Sequence, residues 1–115
     1  MTGSRSTDTV LQHHLQAFDQ GIEEVMTDYA EDSVLMAPDG IHRGLNEIRQ
    51  FFSGLIEGAP EGVWEAFNMK RLDVEGEFGY LLWEARPWFL LGTDTFVVRD
   101  GMIVFQSFAD CRGSE

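Results

Sequence analysis

The spacing of apolar residues changes once along this chain, near residue 63, and that change limits the folds it can adopt. Before residue 63, apolar residues recur every three or four positions, as they do in amphipathic helices. After it, strand-like segments follow one another, separated by turn residues such as Glu75-Gly76 and Asp100-Gly101. Helices followed by strands are typical of α+β domains, in which helices cover one face of a mainly antiparallel sheet.

The same pattern predicts the individual elements. We expect three helices, at about 8–20, 22–29 and 45–57, and five strands, at about 33–37, 63–74, 78–86, 89–99 and 102–109. Asp8 is the predicted N-cap of the first helix, and Gly21 is its predicted C-cap. The domain organisation that follows is a flexible N-terminus at 1–7, one domain at 8–110 and a tail at 111–115.

The charge balance excludes several classes of partner. Twenty Asp and Glu against eight Lys and Arg give a net charge of −12, which opposes binding to nucleic acid or to an anionic membrane surface. No apolar run approaches the roughly 20 residues of a membrane span. The acidic run from Asp19 to Asp39 is predicted to be a solvated face. With Cys111 as the single cysteine, no intrachain disulfide can form, and a cytoplasmic location is expected.

The last two predicted strands are apolar on both faces. Phe96, Val97 and Val98 are consecutive, and Ile103, Val104 and Phe105 are as well. Three helices can cover one face of such a sheet, and a second copy of the chain is the simplest cover for the other. We therefore expect a homodimer formed through the sheet.

Three blocks of sequence together resemble one protein family. They are Tyr29-Ala30-Glu31-Asp32-Ser33-Val34, then Pro38-Asp39-Gly40 followed by Gly44, Ile48 and Phe51-Phe52, and finally the segment 94–103. In this order they resemble the SnoaL-like branch of the nuclear transport factor 2-like superfamily. The resemblance implies a cone-shaped, curved, mainly antiparallel sheet wrapped around three N-terminal helices, with a pocket at the open end and dimerisation through the sheet. This fold carries isomerases, polyketide cyclases and proteins without catalytic activity, so it does not determine function.

Asp94 is the first candidate for catalysis. Because Arg99 should face water, Asp94 is expected to face the cavity together with Phe96 and Val98. In ketosteroid isomerases, a similar Asp-x-Phe strand carries a carboxylic acid that is held protonated, so the resemblance implies an acid or base role for Asp94. The alternative is an aspartate that caps a loop at the strand end.

The hairpin at Asp100-Gly101 decides which residue lies beside Asp94. A two-residue turn pairs Asp94 with Ser107, and a three-residue turn pairs it with Gln106. We favour the longer turn, which places Val104, Gln106 and Phe108 in the cavity and leaves Ile103 and Phe105 for a partner subunit. Gln106 would then contact a ligand, or alternatively satisfy backbone groups in the core.

Two further polar residues are candidates. His14 lies on the apolar face of the first helix, where a neutral imidazole can donate a hydrogen bond or act as a base near pH 7; a core histidine is the alternative. Strand alternation separates Trp83 from Glu84, and we assign Trp83 to the dimer face and Glu84 to the cavity. Glu84 paired with Arg86 in solvent is the alternative.

The remaining candidates would bind an apolar substrate. They are Phe18, Phe52, Phe96, Phe108 and Trp88. No motif for a cofactor or a metal is present, so none is expected. The expected function is a cofactor-independent acid/base enzyme, of isomerase, cyclase or lyase type, acting on a small hydrophobic carbonyl compound. Ala37 stands where ketosteroid isomerases have their proton-shuttling aspartate, so their mechanism does not carry over, and a non-catalytic binding or dimerisation module is the alternative.

Overall fold

A computed structural model of the chain describes residues 5–113. These residues form four helices and six strands, in the order α1 (Thr7–Ala17), α2 (Ile22–Met26), β1 (Tyr29–Ala37), β2 (Gly40–Arg43), α3 (Gly44–Glu57), α4 (Val63–Ala66), β3 (Asn68–Glu75), β4 (Phe78–Ala85), β5 (Phe89–Arg99) and β6 (Met102–Arg112). The strands form one curved, open sheet in the order β2-β1-β6-β5-β4-β3. All neighbouring pairs are antiparallel except β1 and β6, which are parallel. The predicted α+β class with a curved sheet is confirmed.

The helices cover one face of the sheet because each presents an apolar side. Val10 and Leu11 of α1 and Ile48 of α3 are almost fully buried against Leu35, Phe96 and Ile103 of the strands. The pairing of four of the five neighbouring strand pairs is interrupted by a β-bulge or another shift in register. A bulge bends its strand, so these interruptions give the sheet the curvature that lets it surround a cavity.

The first helix begins and ends earlier than its sequence predicts. The N-cap is Ser6, whose hydroxyl accepts a hydrogen bond from the backbone N–H of Thr9, rather than Asp8. Gly21, at φ 107°, precedes α2 as its N-cap rather than ending α1. Of the segment expected to be a flexible N-terminus, residues 1–4 lie outside the described part, whereas Arg5, Ser6 and Thr7 contact the rest of the protein.

Two elements of four residues, α4 and β2, differ from the prediction. Residues 63–66, predicted as the start of a strand, form α4, because Gly62 at φ 90° turns the chain and its carbonyl accepts from the N–H of Ala66. The strand β2 was not predicted. Elements of four residues are too short for an apolar period to appear in the sequence. At the other end, β6 extends to Arg112 in the predicted tail, of which residues 114–115 lie outside the described part.

The β5–β6 hairpin has a register that neither proposed turn gives. Its turn is the two-residue Asp100-Gly101, with both residues at positive φ, so the longer turn that we favoured is wrong. A bulge at Val104 then adds one residue, and Asp94 pairs with Phe108 rather than with Ser107 or Gln106. The two-residue turn also pairs Ile103 with the buried Val98, so Ile103 is fully buried in the core instead of facing a partner.

Candidate functional site

A cavity of about 1000 Å³ lies between the helices and the concave face of the sheet. Its walls come from α1, α3 and α4 and from strands β3 to β6. Most of the lining side chains are apolar or aromatic, and among the polar ones are Asp94, Gln106 and His14. An apolar hollow with a few polar groups is the usual form of a small-molecule site.

Asp94 is a buried carboxylate held by two donors. The indole Nε1 of Trp83 donates to its Oδ1 at 2.9 Å, and the amide Nε2 of Gln106 donates to its Oδ2 at 2.8 Å. Burial raises the pKa of Asp94 to about 6, although both hydrogen bonds and the nearby His14 act in the opposite direction. The carboxyl group can therefore gain or lose a proton near neutral pH.

Trp83 faces the cavity, and our assignment of this residue to a dimer face was wrong. Its neighbours on the same face of β4, Leu81 and Ala85, are also buried, and its ring is parallel to that of Phe108. Gly92 lies opposite on β5, where a Cβ atom would be 2.1 Å from the indole. The glycine thus provides the space that brings the indole N–H to Asp94.

Glu84 lies on the opposite face of β4 from Trp83, so its assignment to the cavity was also wrong. Its carboxylate pairs with Arg86 at 3.2 Å and lies 3.4 Å from the amide of Asn68 at the exposed edge of the sheet. Alternation along the strand allows only one of these two neighbours to face inward. The bulky indole occupies that position, and the partly exposed carboxylate of Glu84 lies on the outer face.

Tyr29 and His14 lie next to Gln106, and His14 also lines the cavity. The hydroxyl of Tyr29 donates to Oε1 of Gln106 and lies 3.4 Å from Nε2 of His14. Burial raises the pKa of Tyr29 well above its ordinary value, with the charges of Asp94 and Asp28 adding to the effect, so the phenol keeps its proton. Four aromatic rings pack edge-to-face with the imidazole of His14: those of Phe18, Tyr29, Phe52 and Phe96.

Asp28 lies behind His14 and is fully buried, immediately before β1. Its Oδ2 is 3.5 Å from Nδ1 of His14, and its Oδ1 is 2.8 Å from Nδ1 of His13 and 3.1 Å from Nη2 of Arg5. Burial by itself would raise the pKa of Asp28, but the imidazoles of His14 and His13 outweigh it and lower the pKa. The acidic run that we predicted to be solvated therefore contains one buried member.

The predicted aromatic residues divide between the cavity and the core. Phe18, Phe52, Phe108 and Trp88 line the cavity. Phe96 is not among the lining residues; it is 1% exposed and packs against His14 with a ring-centroid separation of 5.7 Å. Sequence reasoning missed Tyr29 and Asp28, although Tyr29 shares an inward-facing parity with Ser33 and Leu35 of β1.

Two further properties concern metals and membranes. Within residues 5–113, no group of three or more His, Cys, Asp or Glu side chains is arranged to hold a metal ion. In the same part of the chain, no helix is long and apolar enough to cross a membrane.

Comparisons with solved structures identify the fold. An NTF2-like protein of unknown function from Mesorhizobium loti is similar with a TM-score of 0.73 at 20% identity, over 96% of this chain and 97% of that one. A proposed polyketide cyclase from Sinorhizobium meliloti gives 0.72 at 15% identity, over 87% and 93% of the two chains. A proposed ketosteroid isomerase from Kribbella flavida gives 0.69 at 16%, over 95% and 80%.

Sequence comparison identifies the family. No curated protein matches the chain. The family model described as a SnoaL-like domain matches residues 11–106. This range is most of the sequence and extends from Leu11 in α1 to Gln106 in β6. The chain belongs to the SnoaL-like family.

Proposed function

We propose that the cavity binds a small hydrophobic carbonyl compound and that Asp94 exchanges a proton with it, without a cofactor. The observation that carries this proposal is a carboxyl group in an apolar cavity whose pKa is raised to about 6. A general base is most effective when its pKa is close to the working pH. Proton abstraction next to a carbonyl group is a common first step of isomerase, cyclase and lyase reactions.

The hydrogen bonds of Asp94 suit the role of a base. At pH 7 a carboxyl group of pKa about 6 is roughly nine-tenths ionised, and Trp83 and Gln106 hold it in one orientation. His14 also lines the cavity, with Nε2 3.4 Å from the hydroxyl of Tyr29 and Nδ1 3.5 Å from Oδ2 of Asp28, and a role of His14 toward the substrate is part of this proposal.

A binding module without catalysis is the second candidate. Ala37 is a small, uncharged residue on β1 where related isomerases carry a base, so Asp94 has no second carboxylate of that kind. In this alternative, Asp94 and Trp83 would orient a ligand that leaves unchanged.

Hydrogen–deuterium exchange at carbon separates the two candidates. Small apolar ketones are incubated with the protein in D2O, and loss of the α-proton signal is followed by NMR. The native protein should accelerate the exchange, and Asp94→Asn should reduce that acceleration by about 100-fold or more. The matched control, Glu84→Gln, removes a carboxylate outside the cavity and should leave the exchange unchanged.

The titration of Asp94 provides an independent test. Its carboxyl ¹³C resonance should have a midpoint near 6. A midpoint near 4, as in model peptides, would remove the basis for the acid/base role. A ketone that binds in the cavity and does not exchange would favour the binding module.

We also propose that the face of the sheet opposite the helices forms a homodimer. Cross-strand pairing aligns Phe78, Val97, Phe105 and Val34 in one apolar row over four strands. Phe78 is 58% exposed, an unusual state for so large an apolar side chain.

The exposed thiol of Cys111 agrees with a reducing compartment, and a cytoplasmic location is part of the proposal.

A further inference from the structure

The last turn of the cavity wall carries an ion pair at the end of β6. Side chains alternate along a strand, and the inward-facing ones in this part of β6 are those of Gln106, Phe108, Asp110 and Arg112. Arg112 lines the cavity, and the side chain of Asp110 beside it is 8% exposed. Asp94 pairs with Phe108, so Arg112 lies four residues further along β6, about 13 Å from the level of Asp94.

Arg112 differs in charge from the other residues of the cavity wall. Within residues 5–113, it is the one lining residue with a permanent positive charge. The lining carboxylates are Asp94 and Asp19, which follows α1 and is exposed. An anionic group of a ligand is repelled by these two carboxylates and attracted by Arg112, so the charges favour one orientation of an anionic ligand in the cavity.

Two contacts orient the guanidinium of Arg112. Its Nε donates to Oδ1 of Asp110 at 3.1 Å, and the group lies over the ring of Phe89, 4.5 Å from the ring centroid. In the part of the chain that the structure describes, Nε is the only guanidinium nitrogen with a hydrogen bond. The N–H groups of Nη1 and Nη2 can therefore donate to both oxygens of a carboxylate. The side chain is 65% exposed, which places this group where the cavity meets solvent.

We propose that Arg112 binds a carboxylate at one end of the substrate, so that the hydrophobic carbonyl compound of the proposed function is an elongated keto acid. Its apolar chain lies in the cavity, its carbonyl group lies at Asp94, and its carboxylate stays at the mouth. A charged group that remains partly hydrated there avoids the free-energy cost of burial in the apolar interior. A single negative charge suits the site better than a phosphate, because Asp110 already places one carboxylate beside Arg112. This inference rests on the proposed function for the position of the carbonyl group.

Arg86 provides a matched comparison for Arg112. It also follows a carboxylate by two residues at the end of a strand, with Nε 3.2 Å from Oε1 of Glu84, and its side chain is 60% exposed. Arg86 is not among the residues that line the cavity. The two ion pairs are alike in spacing and exposure, and they differ in whether the arginine borders the cavity.

The experiment measures the binding of linear methyl-ketone carboxylic acids and of their methyl esters by calorimetry at low ionic strength. Arg112→Gln should weaken binding of the acid by about fivefold or more and leave binding of the ester unchanged. Arg86→Gln should change neither. The effect of Arg112→Gln should be largest for the acid whose carbonyl and carboxylate groups are about 13 Å apart, and it should decrease with added salt.

Three results would overturn the proposal: no binding of any acid to the native protein, an equal loss of acid and ester binding in Arg112→Gln, or no loss of either. Calorimetry requires no turnover, so it is independent of the proposed proton transfer. Ketones that exchange their α-protons while acid binding ignores Arg112 would refute this inference alone. Acid binding that depends on Arg112 without any α-proton exchange would support the carboxylate site and refute the acid/base role.

Discussion

Asp94 and Asp28 are both buried carboxylates, and their pKa values move in opposite directions. Burial disfavours the charged form of each. Asp94 has two neutral donors, Trp83 and Gln106, which only partly compensate, and its pKa is raised to about 6. Asp28 faces two imidazoles, which compensate fully and lower its pKa. The two imidazoles beside Asp28, in place of the two neutral donors beside Asp94, thus contribute to the opposite directions of the two pKa values.

The raised pKa of Asp94 predicts a loss of stability with increasing pH. Between the ordinary value of 3.8 and about 6, the folded protein retains a proton that the unfolded chain has released. The associated stabilisation is complete below pH 3.8 and is lost as the pH rises through 6. As the pH rises from 5 to 7, the loss of this stabilisation should lower the unfolding free energy of the native protein by about 1 kcal/mol.

Asp94→Asn isolates this contribution. The variant has no proton to lose, so its unfolding free energy from urea denaturation should fall by about 1 kcal/mol less than that of the native protein between pH 5 and 7. The other titrating groups are common to both proteins and cancel in the difference. Parallel pH profiles would mean that Asp94 titrates alike in the folded and unfolded states.

Strand parity places some of these residues correctly from the sequence. Asp94 lies inward as alternation predicts, and His14 lies on the buried side of α1. Gln106 also lies inward, but because of the bulge at Val104 and not because of the longer turn that we favoured. Trp83 and Glu84 were reversed because alternation separates two neighbours without identifying which one faces the core. Asp28 carries no local signal at all: its burial depends on Arg5, His13 and His14, which reach it only after the chain has folded.

At the scale of elements, bulges and short segments account for most differences from the sequence-based picture. The bulge at Val104 shifts the register of β6 by one residue, and no residue type marks it in advance. The long helix α3 and the hairpin strands β5 and β6, by contrast, begin or end within a few residues of their predicted bounds. The bounds of an element can be predicted where the apolar period repeats along the sequence, whereas the pairing register between two strands cannot.

The pairing of β4 with β5 makes Gly92 a sensitive position. In Gly92→Ala, the new Cβ would lie 2.1 Å from the indole of Trp83, so the ring must move and its hydrogen bond to Asp94 must weaken. We expect a loss of about 1–3 kcal/mol in unfolding free energy. Gly54→Ala on α3 is the control, since its Cβ meets nothing within 4 Å, and it should stabilise the protein by about 0.4–1 kcal/mol. Equal stabilities of the two variants in urea denaturation would refute the close contact.

At the scale of the whole molecule, the apolar row on the outer face predicts association. The native protein should sediment as a dimer at micromolar concentration. Phe78→Lys places a charge at one end of that row and should yield monomers that remain folded, because Phe78 is mostly exposed in the single chain. Gln50→Lys adds the same charge to the exposed side of α3 and should not alter sedimentation. A monomeric native protein would rule out the proposed dimer.

The position of β6 has a consequence for how the protein is made. This strand is the last one in the described part of the chain, yet it lies between β1 and β5 and joins the two halves of the sheet. Until β6 has been synthesised, the β1–β2 hairpin and the β3–β4–β5 meander have no strand that pairs with both. Their apolar inner faces are therefore not yet packed into one core. Pairing between ends so distant in sequence is slow, and exposed strands are prone to aggregate meanwhile. The nascent chain should therefore depend on chaperones until β6 has left the ribosome, and it should then fold in a single cooperative step.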